Sequence, residues 1–308
     1  MGKVLVTGGA GFIGSHLVPY LLNKNYDVVV LDNLDGGKKD NIPLDVEFLQ
    51  MDVCSPKLLA AMQQKKFDAI VHLAGQTTVA DSIKSPLQDE QININGTVNL
   101  LESAVKTGVA RIIFSSTAAV YGDNDNLPLQ ETEIVRPLSF YGLSKVTAEK
   151  YIRLYNTYFG LDYVIFRFAN VYGERQGDGG EGGVISIFAR QIAGGKTINI
   201  FGDGNQTRDF IYAGDIAAGI ECALHTDKVN DTYNLSTKTE TSLNGLVDIF
   251  RKITAQNLKM DYKDRQQGDI YRSILDNAKA SEKLGWHPQI SLKTGIMNTY
   301  QYFAANKK

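Results

Sequence analysis

Val4-Leu5-Val6-Thr7-Gly8-Gly9-Ala10-Gly11-Phe12-Ile13-Gly14 is the stretch whose reading decides the fold. A short apolar run passes at once into a glycine turn, and helical spacing follows near 13–24, giving strand, turn and helix in succession. Gly9, Gly11 and Gly14 satisfy the spacing G-x-G-x-x-G. That spacing has a physical reason: backbone N–H groups at a helix N-terminus can approach a pyrophosphate only where side chains are missing. The acid expected about 20 residues further on is Asp32, which closes a second strand reading over Val28 to Leu31. Its carboxylate is placed to accept from both ribose hydroxyls. With no Arg at 33 or 34, NAD is favoured over NADP, although Lys38 and Lys39 follow closely.

Outward from this unit, Val46 to Leu49, Ala69 to Leu73, Ile112 to Ser115 and Tyr163 to Phe168 read as further strands. Helical spacing near 56–65, 88–107 and 142–159 lies between them. Strand and helix in alternation predict a doubly wound parallel sheet. Val4-Leu5-Val6 and Ala69-Ile70-Val71 are continuously apolar, as a strand covered on both faces must be. After Asn170 the rhythm changes: Gly177, Gly179, Gly180, Gly182 and Gly183 crowd one segment, read as a linker or as a substrate lid, before a helix near 184–193 and a strand over Thr197 to Phe201. Pieces at about 205–258 are expected to return to the main domain, and 259–308 to add a strand and two short helices.

The 308 residues carry 32 Lys+Arg against 34 Asp+Glu, a balance without the basic footprint that nucleic acid or an anionic membrane surface demands. No run approaches the ~20 apolar residues of a membrane span, and the start of the chain lacks the apolar core of a signal peptide. Cys54 and Cys222 stand alone, without a CxxC or a His-rich segment, so neither a disulfide framework nor a metal site is expected, and a cytoplasmic protein is.

Tyr141 and Lys145 stand four apart where a helix begins, so their side chains leave one face. An ammonium beside a phenol stabilises the phenolate and makes it a general base near neutral pH. The hydroxyls of Ser115-Ser116-Thr117 fall at the C-terminal end of a strand, the edge where such sheets hold ligands. His72, in a strand, reads as a core residue, and Trp286 and Tyr300 read as packing.

Thr7 to Gly14, His72-Leu73-Ala74-Gly75, Ser115 to Gly122, Tyr141-Gly142-Leu143-Ser144-Lys145, Arg167-Phe168-Ala169-Asn170 and Arg208-Asp209-Phe210 together resemble the extended short-chain dehydrogenases/reductases, and within them the UDP-glucose 4-epimerases and their relatives acting on N-acetylated UDP-sugars. The resemblance implies a Rossmann doubly wound α/β domain over 1–170 with the returning pieces, and a smaller α+β lobe over 171–204 and 259–308 that binds the UDP-sugar. It also implies NAD as cofactor and a homodimer joined through the helices near 88–107 and 142–159, which carry Leu100, Leu101, Val105, Leu154, Tyr155 and Tyr158. Tyr141 would take the proton of the sugar 4-hydroxyl, Lys145 would hold Tyr141 ionised and bond the nicotinamide ribose, and Thr117 would bond the 4-oxygen. Gly8, Gly11, Phe12, Ile13, Gly14, Asp32, Asn33, Asp52, Val53, Leu73, Ala74, Gly75, Asn95 and Ser115 match cofactor-side positions. Asn170, Arg208, Arg265, Asp269 and Ser273 match substrate-side positions.

Related dehydratases carry an Asp-Glu pair, and decarboxylases a Glu, where this chain has Ala118 and Ala119. Without an acid/base there, elimination lacks its proton carriers, whereas 4-epimerisation needs none beyond Tyr141. The alternatives are another nucleotide-sugar enzyme of the superfamily or a non-catalytic NAD sensor. Two positions depart from the pattern. Gln266 occupies the usual place of a diphosphate-binding Arg, with Arg265 one residue farther out; and Ser273 replaces a bulky Tyr, leaving room for a 2-acetamido group.

Overall fold

The computed structural model describes residues 2–177, 183–265 and 270–306. Its strands are β1 Lys3–Thr7, β2 Asp27–Asp32, β3 Glu47–Gln50, β4 Ala69–His72, β5 Arg111–Thr117, β6 Asp162–Phe168, β7 Asn170–Tyr172, β8 Ile198–Phe201, β9 Thr207–Tyr212, β10 Asp231–Leu235, β11 Glu240–Ser242, β12 Met260–Lys263 and β13 Arg272–Ser273. The helices are α1 Phe12–Asn23, α2 Leu58–Gln63, α3 Val79–Lys84, α4 Pro86–Glu90, α5 Gly96–Thr107, α6 Phe140–Phe159, α7 Val184–Ala193, α8 Ala213–His225, α9 Leu243–Thr254, α10 Ala278–Leu284 and α11 Leu292–Ala305. Gly179, Gly180, Gly182, Gln266 and Asp269 lie outside the described residues.

Seven parallel strands form the large sheet in the order β10-β6-β5-β4-β1-β2-β3. This is the doubly wound arrangement, and the chain reverses its winding direction between β1 and β4, where such sheets open a ligand crevice. The alternation of the strand side chains explains why the strands read as unbroken apolar runs. Val4, Val6, Val28, Val30, Val71 and Ile113 enter one core, against α1 and α8; Leu5, Val29, Leu31, Ile70, Ile112 and Phe114 enter the other, against α2, α5 and α6. A third core, around Phe188, Ile198, Ile200, Phe210, Phe250 and Ile296, joins α7, α9 and α11 to β8 and β9.

The pieces at 205–258 divide between the two lobes. α8 packs on α1 and β10 completes the large sheet beside β6, whereas β9 lies between β11 and β13 in a small sheet that β7 joins, and α9 packs in the third core. The last fifty residues divide as well. Ala280 of α10 and Trp286 enter the core of the large sheet, the indole N–H donating to the Asp215 carbonyl at 3.0 Å.

The stretch near 88–107 is broken into α4, a π turn over Gln91–Asn95, and α5. Leu100, Leu101 and Tyr155 belong to the core, so the outward apolar surface of these helices is narrower than their sequence implies. It includes Leu143, Tyr151, Leu154 and Tyr158 on α6, with Ile83 and Leu87 on α3 and α4, which pack on α6. Cys54 and Cys222 are free thiols, and among the described residues no helix is long and apolar enough to cross a membrane.

Beneath the C-terminal edge of the large sheet, Arg167 of β6 grips Glu149 of α6 with both arms of its fork, Nε to Oε1 at 3.0 Å and Nη2 to Oε2 at 2.7 Å. Ser116 of β5 donates to the same carboxylate at 2.6 Å, so one buried acid ties two strands to α6. Removing one partner of such a pair strands the other charge in a dry interior. Glu149→Ala is expected to cost about 3–5 kcal/mol of unfolding free energy by urea titration; a loss under about 1 kcal/mol, the worth of a surface pair, would contradict this role for the carboxylate.

Candidate active site

The glycine turn sits where β1 ends. Gly8 has φ +71°, and a β-carbon there would lie 2.6 Å from the Ala74 amide nitrogen, so only glycine lets β1 and the strand end after β4 close together. The N-cap of α1 is Gly11, with no side-chain cap and no acid in the first turn. The first amides of α1 therefore face an open cradle of partial positive charge, which fits a diphosphate. The Ile13 side chain is partly buried and packs against the core.

At the end of β2, Asp32 is buried, its Oδ2 accepting from the Ala10 amide at 3.0 Å and its Oδ1 from the Leu34 amide at 2.8 Å. Each oxygen keeps a further lone pair, as a ribose diol requires. Asn33 donates to Asp52 at 2.7 Å, and both line a cavity of about 590 Å³ with Leu34, Cys54, Gln91 and Ile92. Cradle, acid and cavity follow one another along the sheet edge, in the order of a dinucleotide's diphosphate, ribose and base, so the residues present fit NAD. The Val53 side chain packs in the core and its carbonyl accepts from Asn99, so it offers the cavity no side chain.

Leu73 and Ala74 abut the glycine turn through Thr7, whose carbonyl accepts from the Leu73 amide at 3.0 Å and whose Oγ1 accepts from the Ala74 amide at 3.3 Å. His72 bonds Thr7 through Nδ1 at 2.7 Å and Thr97 through Nε2 at 3.0 Å. Thr97 spends its own proton on the Asn93 carbonyl, so we assign the imidazole proton to Nε2. Burial drives the His72 pKa down to about 3, with the Lys145 charge adding to the effect, and the ring is a neutral, satisfied core group.

The fold brings the turn after Thr117 and the first turns of α6, which carry Tyr141 and Lys145, together at the end of β5. Thr117 caps a short turn, Oγ1 accepting from the Ala119 amide at 3.2 Å, which leaves its hydroxyl proton to point elsewhere. Ser139 caps α6 by accepting from Gly142 at 3.1 Å. A β-carbon at Gly142 would stand 2.8 Å from the Ala119 carbonyl, so the first turn of α6, with Tyr141, rests on the turn that follows Thr117. One turn further along α6, Lys145 is buried, donates to the Ser115 carbonyl at 3.1 Å and lies 4.9 Å from the centre of the Phe114 ring. Desolvation lowers its pKa to about 8, against the pull of the Asp89 and Glu149 carboxylates. Ser115 itself donates to the His72 carbonyl at 2.9 Å.

Asn170, Arg208 and Ser273 converge on the small sheet. Ser273 is in register with Arg208 on β9, and Asn170 pairs with Phe210 two residues along the same strand. Arg208 donates to the Thr207 carbonyl at 2.8 Å and toward that of Tyr271 at 3.4 Å, while Arg265 sits 5.5 Å from the centre of the Tyr271 ring. Both guanidinium groups thus gather at Tyr271, a residue the sequence reading passed over. Asn95 is exposed and bonds Glu90 at 3.4 Å; the π turn instead buries Asn93, which bonds Gln76 and Ser144 beside Lys145. No periodicity marks a π turn, so the sequence does not show which of the two asparagines turns inward.

A strand-edge dinucleotide cradle beside a Thr, Tyr and Lys cluster is the arrangement of a nucleotide-sugar oxidoreductive enzyme, and the chain belongs to the NAD dependent epimerase/dehydratase family, which it matches over residues 4–236. It is an isomerase of the UDP-glucose 4-epimerase-like kind, and its cofactor is NAD. The UDP-glucose 4-epimerase of Thermotoga maritima, solved with UDP-glucose, superposes with TM-score 0.96 at 39% identity over 99% of this chain and 100% of that one. That of Thermus thermophilus, solved with NAD, gives 0.93 at 34% identity, covering 98% of each chain. The UDP-N-acetylglucosamine 4-epimerase of Methanobrevibacter ruminantium, in complex with UDP-N-acetylmuramic acid, gives 0.94 at 32% identity, covering 99% of each.

Proposed function

We propose that this chain interconverts UDP-glucose with UDP-galactose and UDP-GlcNAc with UDP-GalNAc, by oxidation and re-reduction at C4 of the sugar. The observation that carries this reading is the packing of the first turns of α6, with Tyr141 and Lys145, on the end of β5 at Thr117, with Ala118 and Ala119 where a dehydratase needs acids. Bound NAD supplies a hydride acceptor that also returns the hydride. Tyr141 takes the proton of the 4-hydroxyl and gives it back after the ring has turned. Thr117, its Oγ1 already accepting from Ala119, donates to the 4-oxygen and fixes it at Tyr141. Lys145, protonated over most of the neutral range, lowers the cost of the phenolate. Asn170 and Arg208 hold the diphosphate side of the substrate, with Arg265 taking the place of the usual arginine. The cradle of Gly8, Gly11 and Gly14 with Asp32, Asn33 and Asp52 holds NAD.

The apolar face of Leu143, Tyr151, Leu154 and Tyr158 with Ile83 and Leu87 is covered, in this reading, by the same face of a second copy. Its residues are 39–78% exposed in the single chain, and a two-fold interface places one such patch on itself.

Proton NMR of the anomeric region, with UDP-galactose supplied and no NAD added, is expected to show the gluco epimer accumulating to a fixed ratio. Tyr141→Phe should slow this by about 10²–10⁴-fold with folding intact; a variant as fast as the parent would remove Tyr141 from the chemistry. Ser273 faces the Arg208 register position on the small sheet. Ser273→Tyr should cut UDP-GalNAc conversion by roughly 100-fold or more, the scale of a pocket that rejects by size, and spare UDP-galactose; equal effects on both would reject it as the selector. Leu154→Glu with Tyr158→Glu should convert a dimer to a monomer by light scattering, and a parent already monomeric would refute the proposed face.

A further inference from the structure

α4 turns an acid toward the interior of the chain. Leu87 is 78% exposed while Asp89 is 1% exposed, an acid exchanged for a leucine on the buried face. Burying a carboxylate is costly unless something answers its charge. Its Oδ1 accepts from the Asn93 side-chain amide at 3.2 Å, and the same amide nitrogen lies 3.1 Å from Ser144 Oγ on α6. These are neutral partners. Ser144 in turn donates to the Tyr141 carbonyl at 3.0 Å. A β-carbon at Gly75 would stand 2.7 Å from Asn93 Oδ1 and 3.3 Å from Lys145 Nζ, so the amide and the ammonium face one small space. The π turn creates this alignment: its extra residue per turn swings Asn93 inward, where its amide meets Asp89 and its carbonyl oxygen shares the space at Gly75 with the Lys145 ammonium.

We infer that Asp89 is a positioning residue of the reaction, a buried carboxylate set behind Lys145 that keeps the ammonium charged and so keeps Tyr141 able to act as the base. The inference rests on the roles proposed above for Tyr141 and Lys145. Of the groups around Lys145, Asp89 supports its charge most and Glu149 less. From β4, His72 is neutral; from β5 come the Phe114 ring and the Ser115 carbonyl. On α6, Glu149 is already answered by Arg167 at 2.7 Å, with Arg153 at 3.7 Å. On α3, which packs on α4, Asp81 and Lys84 pair with each other at the surface. Burial holds Lys145 near 8 even with Asp89 present, and the Lys145 charge in turn pulls against the burial that raises the Asp89 pKa. Without the carboxylate, the Lys145 pKa would fall further and the ammonium would hold the phenolate less well.

Asp89→Asn keeps the shape of the side chain and an acceptor for Asn93, and removes the charge. Ultraviolet difference titration of the phenolate, read against the matching Tyr141→Phe protein in each background, reports Tyr141 alone. Its midpoint is expected to rise by about one pH unit or more, the size of a lost neighbouring charge. The acid limb of the kcat profile should move up with it, while KM for UDP-galactose stays put, and Asp89→Glu should restore most of both. Asp89→Ser removes the same charge with a different side chain and must shift the midpoint in the same direction. An unchanged midpoint, or a fall such as the bare loss of a nearby negative charge would give, overturns the inference. Should the parent epimerise no UDP-sugar, the phenolate titration still decides, because it needs no substrate.

Discussion

Parallel pairing is the constraint on which the rest of this structure depends. In a parallel ladder all strands end on the same edge, so whatever follows each strand is delivered to one line in space. Gly8 after β1, Asp32 at the end of β2, Leu73 after β4, Thr117 at the end of β5 and Asn170 after β6 come from positions spread over half the chain and arrive on that line. The reversal of winding between β1 and β4 opens the line into a crevice. The cofactor cradle lies on the β2 and β3 side and the Thr117 edge on the β5 and β6 side, so the division of labour follows strand order.

The edge would be useless if it moved, and buried polar groups hold it. Glu149, gripped by Arg167 and Ser116, ties α6 to the strands just below Thr117. His72, bonded on both nitrogens, ties β1 and β4 to the first turn of α5. On the far lobe Asp209 accepts from the Thr237 hydroxyl and amide and from the Lys238 amide, anchoring the strand that carries Arg208. All three are polar groups paired in a dry interior, where low dielectric makes each bond strong and each omission expensive. They are the structural counterpart of the reactive residues, which must answer to substrate and cofactor.

Much of this was legible in the sequence. Glycine spacing, the acid at Asp32 and the Tyr141 to Lys145 interval are local signals, because the chemistry fixes the separation of groups along one turn or one helix. What the sequence left open was set by tertiary contacts. Asn95 and Asn93 are two residues apart, and which of them turns inward depends on a π turn that leaves no periodic mark. Val53 sits next to Asp52 at the cavity, yet its side chain finds the core. Leu100, Leu101 and Tyr155 looked like surplus apolar surface because the second face of the sheet, which they cover, is not visible from helix periodicity alone. The lobe boundaries were hard to read for a related reason: β9 and β10 are similar short strands, and only pairing partners reveal that they join different sheets.

That last feature reaches into how the chain is made. β10, Asp231–Leu235, lies at one end of the large sheet and covers β6, Asp162–Phe168, although most of the small lobe's first strands are translated between them. Until β10 emerges, β6 presents an unpaired row of backbone amides and carbonyls flanked by Phe166 and Phe168, the kind of edge that recruits other chains. Vectorial synthesis therefore delivers the glycine turn, Asp32, Thr117 and Tyr141 long before it delivers the strand that seals the sheet bearing them. The nascent chain passes through an interval in which its cofactor half is assembled and its edge is bare, and the small lobe grows out of that unsealed side.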